Sequence, residues 1–221
     1  MPSEIEIDRV YFINLAMRSD RLKHMRRQLK QCSWPTERIE AIRLEEDPVD
    51  LGLKVIPRLE GQRHFVGIWL SHRKALEAAS GRDEEGAFIL LEDDVRVRPD
   101  MWGAKLSLSV SLKSDWEILL LSPRYRKNLA QSNNSEPSGR KWIKAPLGDQ
   151  PVLLRSIRSK FICSGAHFCV FRNKDVVHKV LALMAACDRL YDVDLFYISR
   201  FITYGVDDER VTTAHYGSDH G

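Results

Sequence analysis

Apolar and polar positions along the chain follow two rhythms, one strand-like and one helical. Val10-Tyr11-Phe12-Ile13-Asn14-Leu15 is rich in β-branched and aromatic residues and predicts a buried opening strand. Leu22, Met25, Arg26 and Leu29 then recur at helical spacing, with Arg21, Lys23, Arg27 and Lys30 on the wet side. Ser19 is the expected cap of that helix, and Asp20 falls in its first turn, where the helix dipole favours an anion. Trp34-Pro35 ends the unit, and Arg38 to Arg43 alternates like a half-buried strand. From Leu44 to Gln62 the breakers Pro48, Gly52, Pro57 and Gly61 predict irregular chain.

A second helix is expected over 67–79, with Ile68, Leu70, Ala75, Leu76 and Ala79 available for packing. Ala87-Phe88-Ile89-Leu90-Leu91 is a continuous apolar run, the mark of a central strand covered on both faces. After Pro99-Asp100 a helix is expected, although the leucines and serines of Leu106 to Leu112 also alternate as a strand would. Trp116 to Leu121 and Ala166 to Phe171 read as strands, and Asn173 as the cap of a helix running to about Cys187. Strands and helices alternate without internal repeat, which predicts one α/β domain over 1–221, with a mostly parallel mixed sheet flanked by helices. The polar stretch within 123–151 is expected to be a mobile loop of that domain.

Composition narrows the function classes. With 43% hydrophobic and 29% charged residues, the chain is not of disordered, collagenous or coiled-coil type. A formal net charge of +3 does not mark a nucleic-acid binder and suits an anionic small molecule equally well. No window approaches eighteen consecutive apolar residues, so no membrane-spanning helix is expected. The start, Met1-Pro2-Ser3-Glu4-Ile5-Glu6, lacks the basic and apolar regions of a secretory signal. Four cysteines without a CxxC pair read as thiols of a reducing compartment, and the cytoplasm is the expected location.

The most informative chemistry is Leu90-Leu91-Glu92-Asp93-Asp94. Three carboxylates at the mouth of an apolar strand repel one another unless solvent or a cation compensates. Mg²⁺ or Mn²⁺ does so with one or two carboxylates plus substrate phosphates. Residues two apart on an extended chain point the same way, so Glu92 and Asp94 are expected to converge while Asp93 points elsewhere. A solvated acidic turn is the plain alternative. A receiver-like phosphotransfer domain also binds Mg²⁺ at an acidic pair, but near its first strand rather than in mid-chain.

Around these residues the chain resembles the family 25 glycosyltransferases, which include lipooligosaccharide and collagen galactosyltransferases. The resemblance is carried by Ile13-Asn14-Leu15 with Arg18 and Arg21, Gly67 to His72 as a glycine–x–x–x–Ser–His helix, Leu91 to Asp94, Trp116 to Leu121, Ser164-Gly165-Ala166, and Tyr191-Asp192-Val193-Asp194. A fainter echo lies at His215 to Asp219. The chain departs from the family pattern at Phe65 and Ile68, where an upstream Glu and a Gly-Cys pair are common.

The resemblance implies a GT-A-like nucleotide-sugar-binding domain and an inverting transfer of a hexose, most often galactose, from a UDP-sugar to a saccharide acceptor, which could be lipid-linked. It also implies roles. Asp94, supported by Asp93 or Glu92, would hold Mn²⁺ or Mg²⁺ on the diphosphate, with His215 as an extra ligand. Asn14, Arg18 and Arg21 would contact nucleotide or phosphate, arginine through its bidentate fork. Ser71 and His72 would lie at the donor, His72 touching ligand or packing structurally. Asp194 is the first candidate for the base that takes the acceptor proton and Asp192 the second, with a helix N-cap as the alternative for Asp192. Arg124, Arg126, Lys127, Arg140, Lys141 and Lys144 could fold over the donor or form a solvated loop, with at most peripheral membrane contact. A catalytically silent nucleotide- or saccharide-binding module is the competing function.

Overall fold

The long apolar runs become the centre of one sheet, and their alternate residues feed two separate cores. The computed structural model describes residues 2–127, 150–158 and 161–213. In chain order its elements are β1 (Ser3–Ile5), β2 (Ile7–Asn14), α1 (Ser19–Leu29), β3 (Thr36–Glu40), α2 (Arg63–Ser80), β4 (Ala87–Glu92), β5 (Val95–Val97), β6 (Leu106–Leu108), β7 (Ile118–Leu121), β8 (Arg124–Lys127), β9 (Val152–Leu153), α3 (Leu154–Ile157), β10 (Phe161–Ser164), β11 (Phe168–Phe171), α4 (Lys174–Ala186), α5 (Val193–Arg200), β12 (Thr203–Val206) and β13 (Val211–Thr213).

A seven-stranded sheet has the order β3-β2-β4-β11-β7-β12-β9, and three antiparallel ribbons, β1–β6, β8–β10 and β5–β13, flank it. Within the sheet β2–β3, β2–β4 and β7–β12 are parallel. β11 runs antiparallel to both its neighbours, and β9 antiparallel to β12. The sheet is therefore mixed, with β3, β2, β4, β7 and β12 running one way and only β11 and β9 reversed, as a mostly parallel mixed sheet has them. The reason is local: the turn before β11 lies at the carboxyl end of β4, where the Glu92 N–H donates to His167 O at 3.0 Å, so β11 must run back down the sheet.

Phe88 and Leu90 of β4 join Ile118 and Leu120 of β7 in a core beneath α2, α4 and α5. Ala87, Ile89, Leu91, Leu119 and Leu121 point the other way, into a core closed by α1 and the β1–β6 and β5–β13 ribbons. This two-faced burial is what a continuous apolar run demands.

Three expectations need correction. No α-helix forms after Pro99; a single 3₁₀ turn spans Pro99–Met101, and β6 follows, paired with β1. Leu106, Leu108 and Val110 are buried while Ser107 and Ser109 are exposed, so the period of two decides the conformation. Ser19 is the first helical residue of α1 rather than its cap, because the Arg18 carbonyl already accepts from Leu22 N at 3.0 Å. The expected loop over 123–151 begins as strand β8, whereas 128–149 lie outside the described residues. Asn173 does cap α4, its Oδ1 accepting from Val176 N at 3.0 Å. Among the described residues no helix is long and apolar enough to cross a membrane.

Candidate active site

Parallel pairing of β2 with β4 puts Ile13 opposite Glu92, so Asn14 meets the acidic turn. Asp93 is 7% exposed and fully engaged: Oδ2 accepts from Asn14 Nδ2 at 2.7 Å and Oδ1 from Arg21 Nη1 at 2.9 Å. Asn14 is itself fixed, since Nδ2 also donates to the Arg18 carbonyl at 3.2 Å and Oδ1 accepts from Arg38 Nε at 3.1 Å. Arg18 forks onto Asp20 at 3.0 and 2.8 Å. Asn14 and Arg21 thus hold the turn from the α1 side, through Asp93.

Glu92 faces the other layer. The His72 ring on α2 is wholly buried, with Nε2 3.4 Å from Glu92 Oε1 and Nδ1 3.1 Å from the Tyr197 hydroxyl of α5. When Nε2–H donates to Glu92, Nδ1 accepts from Tyr197. Burial lowers the His72 pKa to about 4, against the opposing charge of Asp194, so the ring is neutral at pH 7. Burial raises the Glu92 pKa to about 7, with Asp93 adding to the rise and Arg124 and Arg21 opposing it. Asp94 is raised to about 6, first by burial and then by Glu92. Its Oδ1 is sealed from solvent without a hydrogen-bond partner. Glu92 thus acts on Asp94, while Asp93, though its oxygens turn to Asn14 and Arg21, acts on both.

The glycine–x–x–x–Ser spacing in α2 has a packing explanation. Ser71 Oγ donates to Gly67 O at 2.6 Å and accepts from Ile42 N at 2.8 Å, which ties the helix to the chain after β3. A Cβ at Gly67 would stand 2.7 Å from Ile42 O, inside contact distance of backbone that cannot yield. Gly67→Ala is therefore expected to cost about 1–3 kcal/mol, the penalty of overpacking, seen as a lower melting temperature with the sheet core intact. An unchanged melting temperature would show that α2 has room to shift.

Asp194 sits in a cradle from the turn between β10 and β11: Oδ2 accepts from Ser164 Oγ at 2.9 Å and Gly165 N at 3.2 Å, and Oδ1 from Ala166 N at 2.7 Å. Burial raises its pKa to about 6, with Asp192 and Glu92 adding to the rise and the Ser164 and Ala166 bonds opposing it. Asp192 is the N-cap of α5, accepting from Asp194 N at 3.2 Å, and it pairs with Arg58 at 2.6 Å. Arg58 comes from the irregular segment, where no motif pointed to it. Tyr197 had no separate signal either, beyond its place one turn after Asp194. Arg124 is the member of the basic stretch that acts on Glu92 and Asp94. Arg140, Lys141, Lys144 and His215 lie outside the described residues.

Among the described residues no three His, Cys, Asp or Glu side chains gather closely enough to hold a metal ion by themselves. A separate concavity at the opposite end of the sheet, lined by Arg9, Tyr11, Glu84, Gly86 and Lys174 among others, contains none of the groups above.

No protein-family model matches the chain, and no curated protein does. Among solved structures it is similar to the nucleoside-diphosphate-sugar pyrophosphorylase from Vibrio cholerae RC9, at 11% identity, covering 93% of this chain and 75% of that one, with a TM-score of 0.36. A likeness that slight has no bearing on activity.

Proposed function

We propose that the chain is a metal-dependent hexosyltransferase of GT-A-like fold that uses a UDP-sugar donor and a saccharide acceptor. The observation that carries this reading is Asp94, whose Oδ1 is sealed from solvent with no partner beside a second carboxylate. An unpaired buried acceptor is costly, and a cation arriving with a diphosphate would satisfy it. Mg²⁺ and Mn²⁺ sites of this kind need only one or two protein carboxylates, the rest being phosphate oxygens and water, so the donor set fits without a preformed cage. Bound there, the ion would neutralise the leaving diphosphate as a Lewis acid. The segments that resemble family 25 also gather at one end of the sheet: Asn14 and Arg21 on Asp93, His72 on Glu92, and Asp194 close enough to act on His72 and to be raised by Glu92.

The chain's own groups divide the work. Asn14 and Arg21 fix Asp93 and so aim the turn. For the acceptor proton, the hydrogen bonding favours Glu92 over Asp194. Three donors already occupy Asp194, whereas 28% of the Glu92 side chain stays accessible and His72 orients it. A base with a pKa near the working pH is the effective kind. The receiver-like reading fits poorly, since β11 enters antiparallel beside β4 instead of completing a parallel doubly wound sheet.

Thermal-shift titration with UDP-galactose, UDP-glucose, UDP-N-acetylglucosamine and UDP, each with and without Mn²⁺, tests the reading. Saturation at a hundred times the dissociation constant is expected to add about 2.7 kcal/mol, only when nucleotide and metal are both present. No shift with any of them would overturn it. Binding without UDP release across an acceptor panel would favour the silent module.

A further inference from the structure

The outer face of α1 carries a charge pattern that the site does not use. Arg18 and Arg21, at its start, are matched by Asp20 and Asp93. Beyond them Lys23, Arg26, Arg27 and the C-cap Lys30 are all exposed, and among the described residues none of the four meets a carboxylate. Their spacing of three and four places them in one row about 10 Å long, on the side of the helix away from buried Met25 and Leu29. The helix is fixed from beneath. His24 Nε2 lies 3.0 Å from Val95 O, and Gln28 donates to Val95 O at 3.1 Å and accepts from Val97 N at 3.0 Å. The row therefore lies flat on the domain surface.

Such a row works against its own helix. Lys23 with Arg27 and Arg26 with Lys30 are like charges four residues apart, an arrangement that destabilises a helix. The helix dipole favours cations in the last turn only, so it gives no reason for Lys23. Elsewhere the chain matches its surface cations: Arg73 with Glu77 on α2, Arg82 with Glu37, Lys174 with Glu85, and Lys179 with Glu117. Four unmatched cations in one line call for anions from outside, and a flat row suits a planar array of them. Just before the helix Met17 is 62% exposed, one of three large apolar side chains left so open among the described residues. An apolar side chain beside a cationic row fits the boundary between headgroups and acyl chains better than it fits a nucleic-acid backbone.

We propose that the outer face of α1 docks the protein on a bilayer surface rich in anionic phospholipid, with Lys23, Arg26, Arg27 and Lys30 on the headgroup phosphates. The apolar face of α1 is committed to the core, so the helix lies on the membrane rather than in it. The attachment is electrostatic and reversible. α1 starts beside the acidic turn, where Arg21 holds Asp93, so the docked surface runs up to one side of the candidate site. The inference rests on charge and stands apart from the nucleotide reading.

Flotation with vesicles of phosphatidylcholine containing about one-third phosphatidylglycerol, against vesicles of phosphatidylcholine alone, tests it. The protein is expected to float only with the anionic vesicles and to be released at about 1 M salt, where screening shortens to about 3 Å. Each cation near such a surface is worth about fivefold in binding, so the combined variant Lys23→Gln, Arg26→Gln, Arg27→Gln and Lys30→Gln is expected to bind at least about a hundredfold more weakly. Glutamine keeps the helix propensity and removes the repulsion, so this variant is expected to melt at or above the wild-type temperature. The combined variant Arg140→Gln, Lys141→Gln and Lys144→Gln is expected to float within threefold of wild type. A loss there with the α1 variant unaffected moves the docking surface to that segment and overturns the inference. So does a wild type that stays unbound to anionic vesicles, or an α1 variant that floats as wild type does. A wild type that ignores the vesicles but binds an oligonucleotide or polyglutamate through the same four residues overturns it as well.

Discussion

Asp94→Asn is expected to stabilise the free protein at pH 8, to lose that advantage by pH 4, and to abolish Mn²⁺-dependent stabilisation by UDP. Burial and the neighbouring Glu92 raise the Asp94 pKa from 3.8 to about 6, so the folded state binds its proton more tightly than the unfolded chain. The stabilising contribution of that proton is complete below about pH 4 and is lost as pH rises through about 6. Above that, the buried charge weakens the fold by up to about 2–3 kcal/mol, at 1.36 kcal/mol per pKa unit. An amide removes the charge but brings its own N–H groups, so a net gain of about 1–2 kcal/mol is expected, worth several degrees of melting temperature for a chain of this size. Melting curves at pH 4.5 and pH 8, with and without UDP and Mn²⁺, check both halves. A variant that melts below wild type at pH 8 and keeps its nucleotide shift would make Asp94 a structural carboxylate with no metal to hold.

The second large effect separates a holding carboxylate from a reacting one. Asp194→Ala leaves Ser164 Oγ, Gly165 N and Ala166 N without their acceptor. Each orphaned buried donor costs about 1–3 kcal/mol, and release of the buried charge returns part of the total. A net loss of about 3 kcal/mol is expected, with protease cutting first near the turn before β11. Glu92→Gln is expected to leave the melting temperature at or above wild type, because the Glu92 charge is also disfavoured in the fold, while transfer to an acceptor collapses. If Asp194→Ala proves as stable as wild type while Glu92→Gln keeps full transfer, the roles are reversed and Asp194 regains the base.

Much of this fold is legible in the sequence because its strands are long apolar runs whose neighbours are turn residues. Ala87 to Leu91 and Trp116 to Leu121 leave little choice. Leu106 to Leu112 is different: helix and strand both bury leucines there, and only the partner strand β1, distant in sequence, decides for the strand. Antiparallel β11 is illegible for the same reason, since strand direction depends on which end of the sheet the chain enters. The acidic turn stands out as chemistry, yet its three carboxylates look alike in sequence. Asp93 is distinguished only by Asn14 and Arg21 closing on it. Ser71 and Gly67 carry a motif whose visible use is packing. His167 gives no sign within Ala166 to Phe171, because its burial is a property of neighbours distant in sequence.

The sheet keeps its two cores apart, and the acidic turn stands on the seam between them. Glu92 is steadied by His72 and Tyr197, which belong to the layer of α2 and α5, whereas Asp93 is steadied by Arg21 of α1. Neighbouring carboxylates thus take their hydrogen bonds from opposite layers, although Arg21 and Asp93 also act on Glu92 through their charge. Such a layout lets drift in one layer shift the hydrogen bonding of one carboxylate while the other keeps its anchor, so that the two faces of the turn are able to diverge along separate lineages without a common structural compromise.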